Sequence, residues 1–324
     1  MKRRDFITLV GGAAAAWPLG AQAQQPVIGF LSSASPGTLQ PQLAAFRKAL
    51  GDAGFIEDRN VRIEYRWADG QYNRLPAMAA DLVSRRVALI LSTGGADVAL
   101  AAKAATSTIP IVMIVGVDPV KTGLVTSFNR PGGNITGATL FAQLIESKRL
   151  GLLHEAVPTA KTIAVLVNPA TVAVEFQLRD MREAAPRIGV ELVIFSASSE
   201  SEFEGVFATI VRRQAGGLLV GTDPYFNSRR VRLIGLAARH RLPAIYGWRE
   251  YALDGGLMSY GTVLADGYSQ AGTYAGRVLK GEKPGDLPVV QPTKFEFVIN
   301  LKTAKQLGLT FSPSLLARAD EAIE

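Results

Sequence analysis

Apolar positions along this chain fall into short β-branched runs separated by longer stretches of helical period. Val27 to Leu31, Val61 to Trp67, Ala88 to Ser92 and Ile111 to Val117 read as strands, each followed by a polar or glycine loop and an amphipathic or Ala-rich segment. Helices are predicted from Asn73 to Val83 and from Gly95 to Ala105. This strand–helix alternation implies a parallel sheet with helices on both faces. The pattern then restarts, with strands at Thr162 to Val167, Glu191 to Phe195, Gly217 to Gly221 and Ala244 to Tyr246, and helices near 172–185, 201–213 and 228–240. Two successive α/β units of about 110 residues point to two lobes rather than one very wide sheet.

The joint between the units is placed at Pro131-Gly132-Gly133-Asn134-Ile135-Thr136-Gly137-Ala138. A glycine-framed strand, Gly256 to Gly261, leaves the second unit. A helix from Leu264 to Leu279, a Pro/Gly-rich segment from Gly281 to Pro292 and one more strand, Phe295 to Ile299, follow it. That order predicts more than one crossing between lobes, which makes a hinge rather than a free linker. Residues 24–138 with about 262–290 are assigned to lobe 1, and 139–261 with about 291–324 to lobe 2.

The first residues follow a different pattern. Lys2, Arg3 and Arg4 precede an apolar run from Phe6 to Trp17 that ends in Ala21-Gln22-Ala23, the layout of a cleaved secretory signal over residues 1–23. The run is about half the ~20 apolar residues needed to span a bilayer. Arg3-Arg4-Asp5-Phe6-Ile7 resembles a twin-arginine signal, with the general secretory route as the alternative. Either route predicts a periplasmic protein, soluble after cleavage. Cysteine is absent, which excludes disulfides, thiolate metal sites, a catalytic thiol and a lipid-modified cysteine. The net charge is +7, and +5 once residues 1–23 are removed. These charges are scattered, and the pairs Arg85-Arg86, Arg212-Arg213 and Arg229-Arg230 read as solvated helix-end charges, so no nucleic-acid partner is expected.

Catalytic signatures are missing: there is no G-x-S-x-G, Walker A, G-x-G-x-x-G or H-E-x-x-H sequence. His154 and His240 are the two histidines, and both read as structural or surface residues. No catalytic residue, metal or cofactor is therefore expected.

Three ordered stretches carry a resemblance. They are Val117-Asp118-Pro119-Val120 with Gly123-Leu124-Val125, then Arg130 to Gly137, and last Phe295 to Lys305 with Leu307-Gly308-Leu309. Together they resemble the ABC-transporter substrate-binding family that includes tryptophan-binding TrpX-type receptors. The resemblance spans essentially the whole chain after the signal. It implies a type I periplasmic-binding-protein fold: two Rossmann-like lobes, each a parallel sheet flanked by helices, joined by a hinge of three crossovers. It also implies aromatic amino acids as the ligands of characterised members. The loop Thr222 to Arg230 departs from the shorter polar loop usual in the tryptophan binders.

Ligands of open α/β sheets sit at the carboxyl ends of the strands. The candidate binding residues there are Ser32, Ser33, Trp67, Ser92, Thr93, Gly94 and Asp118 in the first lobe, and Asn168, Thr222, Asp223, Tyr246, Trp248 and Tyr260 in the second. The loop Ser92 to Gly95 opens a helix and suits a carboxylate, or serves only as that helix's cap. Asp223 suits a ligand ammonium, or caps the helix beginning near Pro224. Asn168 reads either way too. With Tyr225 and Phe226, the aromatics supply either walls or core. An amino acid or aromatic carboxylate fits this inventory better than a sugar.

The expectation is a monomeric solute receptor that closes its lobes on a small molecule and hands it to an ABC permease in the inner membrane. The alternative is an exported sensing module that feeds a membrane signalling receptor. An exported enzyme lacks its motifs, and a repressor's effector domain lacks a DNA-binding helix pair.

Overall fold

A computed structural model describes residues 25–142 and 145–324, so the signal assigned to residues 1–23 lies outside the described residues. Two sheets organise the chain. The first is wholly parallel and contains β1 (Val27–Ser32), β2 (Arg62–Trp67), β3 (Leu89–Thr93), β4 (Ile111–Val115) and β5 (Ile135–Thr139), in the order β2-β1-β3-β4-β5. The second contains β6 (Thr162–Val167), β7 (Glu191–Ser196), β8 (Gly217–Val220), β9 (Ala244–Tyr246), β10 (Met258–Gly261), β11 (Glu296–Asn300) and β12 (Glu321–Ile323). Its order is β12-β11-β10-β9-β8-β6-β7, parallel throughout except where β10 meets β11.

Inner strands are apolar on both faces because helices cover both: all five residues of β4, Ile-Val-Met-Ile-Val, are buried. At the edge, β2 alternates instead, with Arg62, Glu64 and Arg66 on one face and Ile63, Tyr65 and Trp67 on the other. The chain leaves the first sheet after β5 and enters the second through the helix Glu146–Ala156. It returns after β10 as the helix Leu264–Leu279, which packs on β3, β4 and β5 and along the helix Gln40–Asp52. Gly272 and Gly276 allow that close approach, since a Cβ on them would lie 2.4 Å from Phe46 O and 2.3 Å from Ala53 Cβ. After a bridge between Ala138 and Val290 the chain crosses a third time, into β11.

One expectation needs correcting. The Pro131–Ala138 stretch is not itself the joint. Its second half is β5, a buried strand whose Gly137 lies so close to β4 that a Cβ would fall 2.0 Å from Met113 O, and the crossing follows it. The closing strand β12, paired with β11, was not expected from the sequence at all.

Candidate functional site

Parallel strands bring their carboxyl ends to one edge of each sheet, and in this fold the two edges face each other. Between them lies a cavity of about 540 Å³, part of it open to solvent. The first lobe lines it with Ala34, Leu39, Gly94, Gly95, Ile114, Val115, Gly116, Leu140, Leu264 and Tyr268. Ala142, just past the first crossing, and Thr222, Pro224, Asn227 and Trp248 complete the lining. The walls are mostly apolar, and among the described residues no charged side chain lines them.

Of the residues expected from the sequence, Gly94, Thr222 and Trp248 line this cavity. Ser32, Ser33 and Thr93 sit directly beneath the loop: the Ser33 hydroxyl donates to Gly94 O at 2.5 Å, and Thr93 donates to Ser32 Oγ at 3.1 Å. All three are buried. Gly94 needs to be glycine on two counts, a φ of +87° and a Cβ position 2.4 Å from Ser33 Oγ. The next residue, Gly95, is the N-cap of the helix Ala96–Ala105, whose first N–H groups have no acceptor within the helix. Ser92 is buried too, and its hydroxyl has no hydrogen-bond partner among the described residues.

Asp223 and Asn168 meet one step behind the lining. Asp223 Oδ1 accepts from Phe226 N at 3.0 Å, capping the helix Pro224–Ser228, and from Asn168 Nδ2 at 3.3 Å. Its other oxygen accepts from the Tyr72 hydroxyl at 3.1 Å, across the gap between lobes. Burial pushes the Asp223 carboxyl up to about 6, although these three donors pull it down. Burial likewise raises the Tyr72 phenol, and the neighbouring Asp223 charge adds to that shift.

Four of the expected residues lie away from the cavity lining. Trp67 shares a face of β2 with Tyr65, and its ring packs on Phe30 at 4.8 Å and stacks on Tyr65 at 6.1 Å. Tyr246 stacks on Tyr251 at 4.4 Å inside the second lobe. Tyr260 stacks on Phe295 at 6.0 Å, next to its β11 partner Phe297. Asp118 closes a turn by accepting from Val120 N at 2.9 Å and Lys121 N at 3.2 Å.

Residues that the sequence did not single out complete the site. Asn227 and Tyr268 each stand one helical turn beyond a strand-end loop, four residues after Asp223 and Leu264, so a rule that looks only at strand ends passes over them. Arg149 is fully buried. It donates to Tyr260 O at 2.7 Å, Thr222 Oγ1 at 2.6 Å and Ala142 O at 2.9 Å, and pairs with Glu146 at 2.7 Å. Glu146 in turn accepts from Thr222 N at 3.0 Å. One guanidinium thus ties the first crossing, the second crossing and a cavity residue together.

The lobes touch at the rim as well. Arg229 meets Asp69 at 3.1 Å and donates to Ser35 at 2.9 Å, with its guanidinium 5.2 Å above the Tyr225 ring. This corrects the reading of Arg229 as a solvated helix-end charge. The residue stands between two short-spaced helices that aim it at the opposite lobe, where carboxylate and hydroxyl groups receive it. Gln42 Nε2 to Glu250 at 3.1 Å and Val172 N to Asp97 at 3.2 Å are further contacts between lobes. Among the described residues no cluster of side chains is suited to a metal, and no helix is long and apolar enough to cross a membrane.

Comparison with known proteins agrees with this architecture. A protein described as a tyrosine-binding protein from Clostridioides difficile (strain R20291) is 30% identical over 288 residues, 88% of this chain and 82% of that one. The structure of an ABC domain in complex with L-Trp from Streptococcus pneumonia superimposes with a TM-score of 0.81 at 25% identity, covering 92% of this chain and 100% of that one. The ligand-free, open structure of a substrate binding protein with adhesive properties from Clostridium difficile gives 0.63 at 26% identity, covering 92% and 99%. The model of the family described as ABC transporter substrate binding protein matches residues 28–323, and with two facing lobes around one cavity the chain belongs to that family.

Proposed function

We propose that this protein captures an aromatic amino acid or a related aromatic carboxylate in the periplasm and presents it, lobes closed, to an ABC permease in the inner membrane. One observation carries the reading: a mostly apolar cavity, lined from both lobes, lies where the strand ends of the two sheets converge. Gly94 and Gly95 N–H groups receive the carboxylate at the start of their helix. The ammonium takes the place of the Tyr72 hydroxyl on Asp223, whose buried carboxyl gains from a cation. Ser32, Ser33 and Thr93 hold the glycine loop in place, Asn168 orients Asp223, and Trp248 forms a wall.

Support comes from the relative named for tyrosine and from the closer superposition on the L-Trp complex than on an open, ligand-free relative. No bond is made or broken in this cycle, and the working unit is a monomer exported through residues 1–23. Calorimetry of the purified protein against L-tyrosine, L-tryptophan, L-phenylalanine, aliphatic amino acids and sugars tests it. Micromolar or tighter binding confined to the aromatic compounds is expected. Binding of sugars alone, or of nothing in the panel, refutes the reading.

A further inference from the structure

We infer that the contact between Gln42 and Glu250 is a proton-controlled latch: Glu250 holds a proton while the lobes touch and releases it when they part. Gln42 lies on the first-lobe helix Gln40–Asp52 and Glu250 on the second-lobe helix Arg249–Leu253. Gln42 Nε2 donates to Glu250 Oε1 at 3.1 Å, so the two planar heads are in direct contact. Gln42 is 2% exposed, and its Oε1 and the Glu250 Oε2 are buried with no hydrogen-bond partner among the described residues. Buried polar atoms are almost always paired, and here both orphans are acceptors, so what the contact lacks is a donor. A proton on Glu250 supplies one and cancels the buried charge. It needs no room, and the amide can turn over at the same contact to offer its oxygen to the carboxyl O–H.

The cations nearby are committed elsewhere. Arg230, on the adjoining helix Arg230–Arg239, pairs with Asp254 at 2.6 Å. Arg249 pairs with Glu296 at 2.9 Å and Glu321 at 2.6 Å. On the helix of Gln42, Arg47 pairs with Glu57 and Lys48 with Asp52. Tyr251 is a further titratable neighbour, and burial raises its phenol well above the usual range, so it stays neutral. Burial likewise raises the Glu250 carboxyl; its own backbone, Arg230 and Arg249 offset this only in part, and Asp254 adds to the rise. Parting the lobes returns water to the carboxyl, whose proton then leaves at the ordinary carboxylate value. The touching state thus binds the extra proton, so contact is favoured in acid and weakens as pH rises above that value.

Glutamate carboxyls labelled with carbon-13 are to be titrated by NMR on the whole protein without solute, from about pH 4 to 8, with small-angle scattering at each pH. Omitting solute keeps a failure here apart from a failure of the capture reading, on whose lobe movement the inference rests. Glu250→Gln identifies the Glu250 resonance and mimics the protonated acid, and circular dichroism establishes that it folds. Asp223 also titrates between the lobes, so the latch is read as the difference between the two proteins. The Glu250 midpoint is expected above those of the exposed glutamates. Over the same pH step the wild-type radius of gyration should rise, and Glu250→Gln should lose that rise. A Glu250 midpoint in the ordinary range overturns the inference, and so do identical scattering profiles for the two proteins. If the variant does not fold, the wild type decides alone: a raised glutamate midpoint must coincide with a rise in radius, and the absence of either overturns the inference.

Discussion

Replacing Arg149 with methionine tests how the first two crossings are anchored to the second lobe. The guanidinium is fully buried, with three hydrogen bonds of 2.6 to 2.9 Å and an ion pair to an equally buried Glu146. Methionine keeps much of the packing and removes the charge. Glu146 then keeps Thr222 N–H but loses its counter-ion, Tyr260 O loses the Arg149 donor, and Ala142 O keeps only the longer 3.4 Å bond from the Thr222 hydroxyl. Breaking a buried pair by removing one partner costs about 3–5 kcal/mol. Set against a total stability of about 5–15 kcal/mol, that is a large share.

Adding Glu146→Gln removes the stranded charge and preserves an acceptor for Thr222 N–H. The double variant should recover about 2 kcal/mol of the loss. Urea unfolding followed by tryptophan fluorescence and circular dichroism measures both changes. A loss below about 1 kcal/mol, the worth of an exposed pair, would refute the argument that this cluster is dry and closed.

Three further outcomes follow from the same geometry. Asp223 has its carboxyl raised to about 6 from 3.8, so the folded state holds a proton that the unfolded state has released between those values. Its contribution to stability is greatest at low pH and is lost as pH rises from about 4 to 6, by about 3 kcal/mol in all. Asp223→Asn should flatten that part of a pH series of urea melts, and an unchanged slope would count against the burial argument. Arg229→Met removes the rim contacts to Asp69 and Ser35, which are partly exposed and worth about 0.2–1 kcal/mol. Its signature is a larger radius of gyration for the solute-free protein in small-angle scattering, with little change in melting temperature. Gly94→Ala forces a Cβ against Ser33 at a positive φ. Solute affinity should fall at least about tenfold while circular dichroism stays native, because αL strain of about 1–2 kcal/mol is concentrated in the loop.

The sequence shows the architecture clearly because each layer has its own period. Strands such as Thr162–Val167 and Ala244–Tyr246, and the helix Leu264–Leu279, fall at the positions expected, and the other expected strands agree within two residues at either end. The short strand Glu321–Ile323 carries no run long enough to stand out, and is a strand because β11 offers it an edge. The site is harder to read. Strand-end reasoning reaches Gly94, Thr222 and Trp248, since backbone topology alone brings them to the cavity. It does not tell an aromatic that walls a cleft from one that covers a sheet. Trp67, Tyr246 and Tyr260 pair with other rings because of side-chain direction and neighbours far off in the chain. Arg149 and Glu146 look like an ordinary exposed helix pair in sequence, and only the crossing of three segments buries them. Arg229 and Tyr72 likewise gain their partners from the opposite lobe.

A crystal structure of the protein grown with an aromatic amino acid tests the central claim most directly. The account predicts density for the solute between the two sheets, its carboxylate on the Gly94–Gly95 amides, its ammonium on Asp223 and its ring against Trp248. A solute lodged within a single lobe, or on the outer surface while Tyr72 still bonds Asp223, would contradict it.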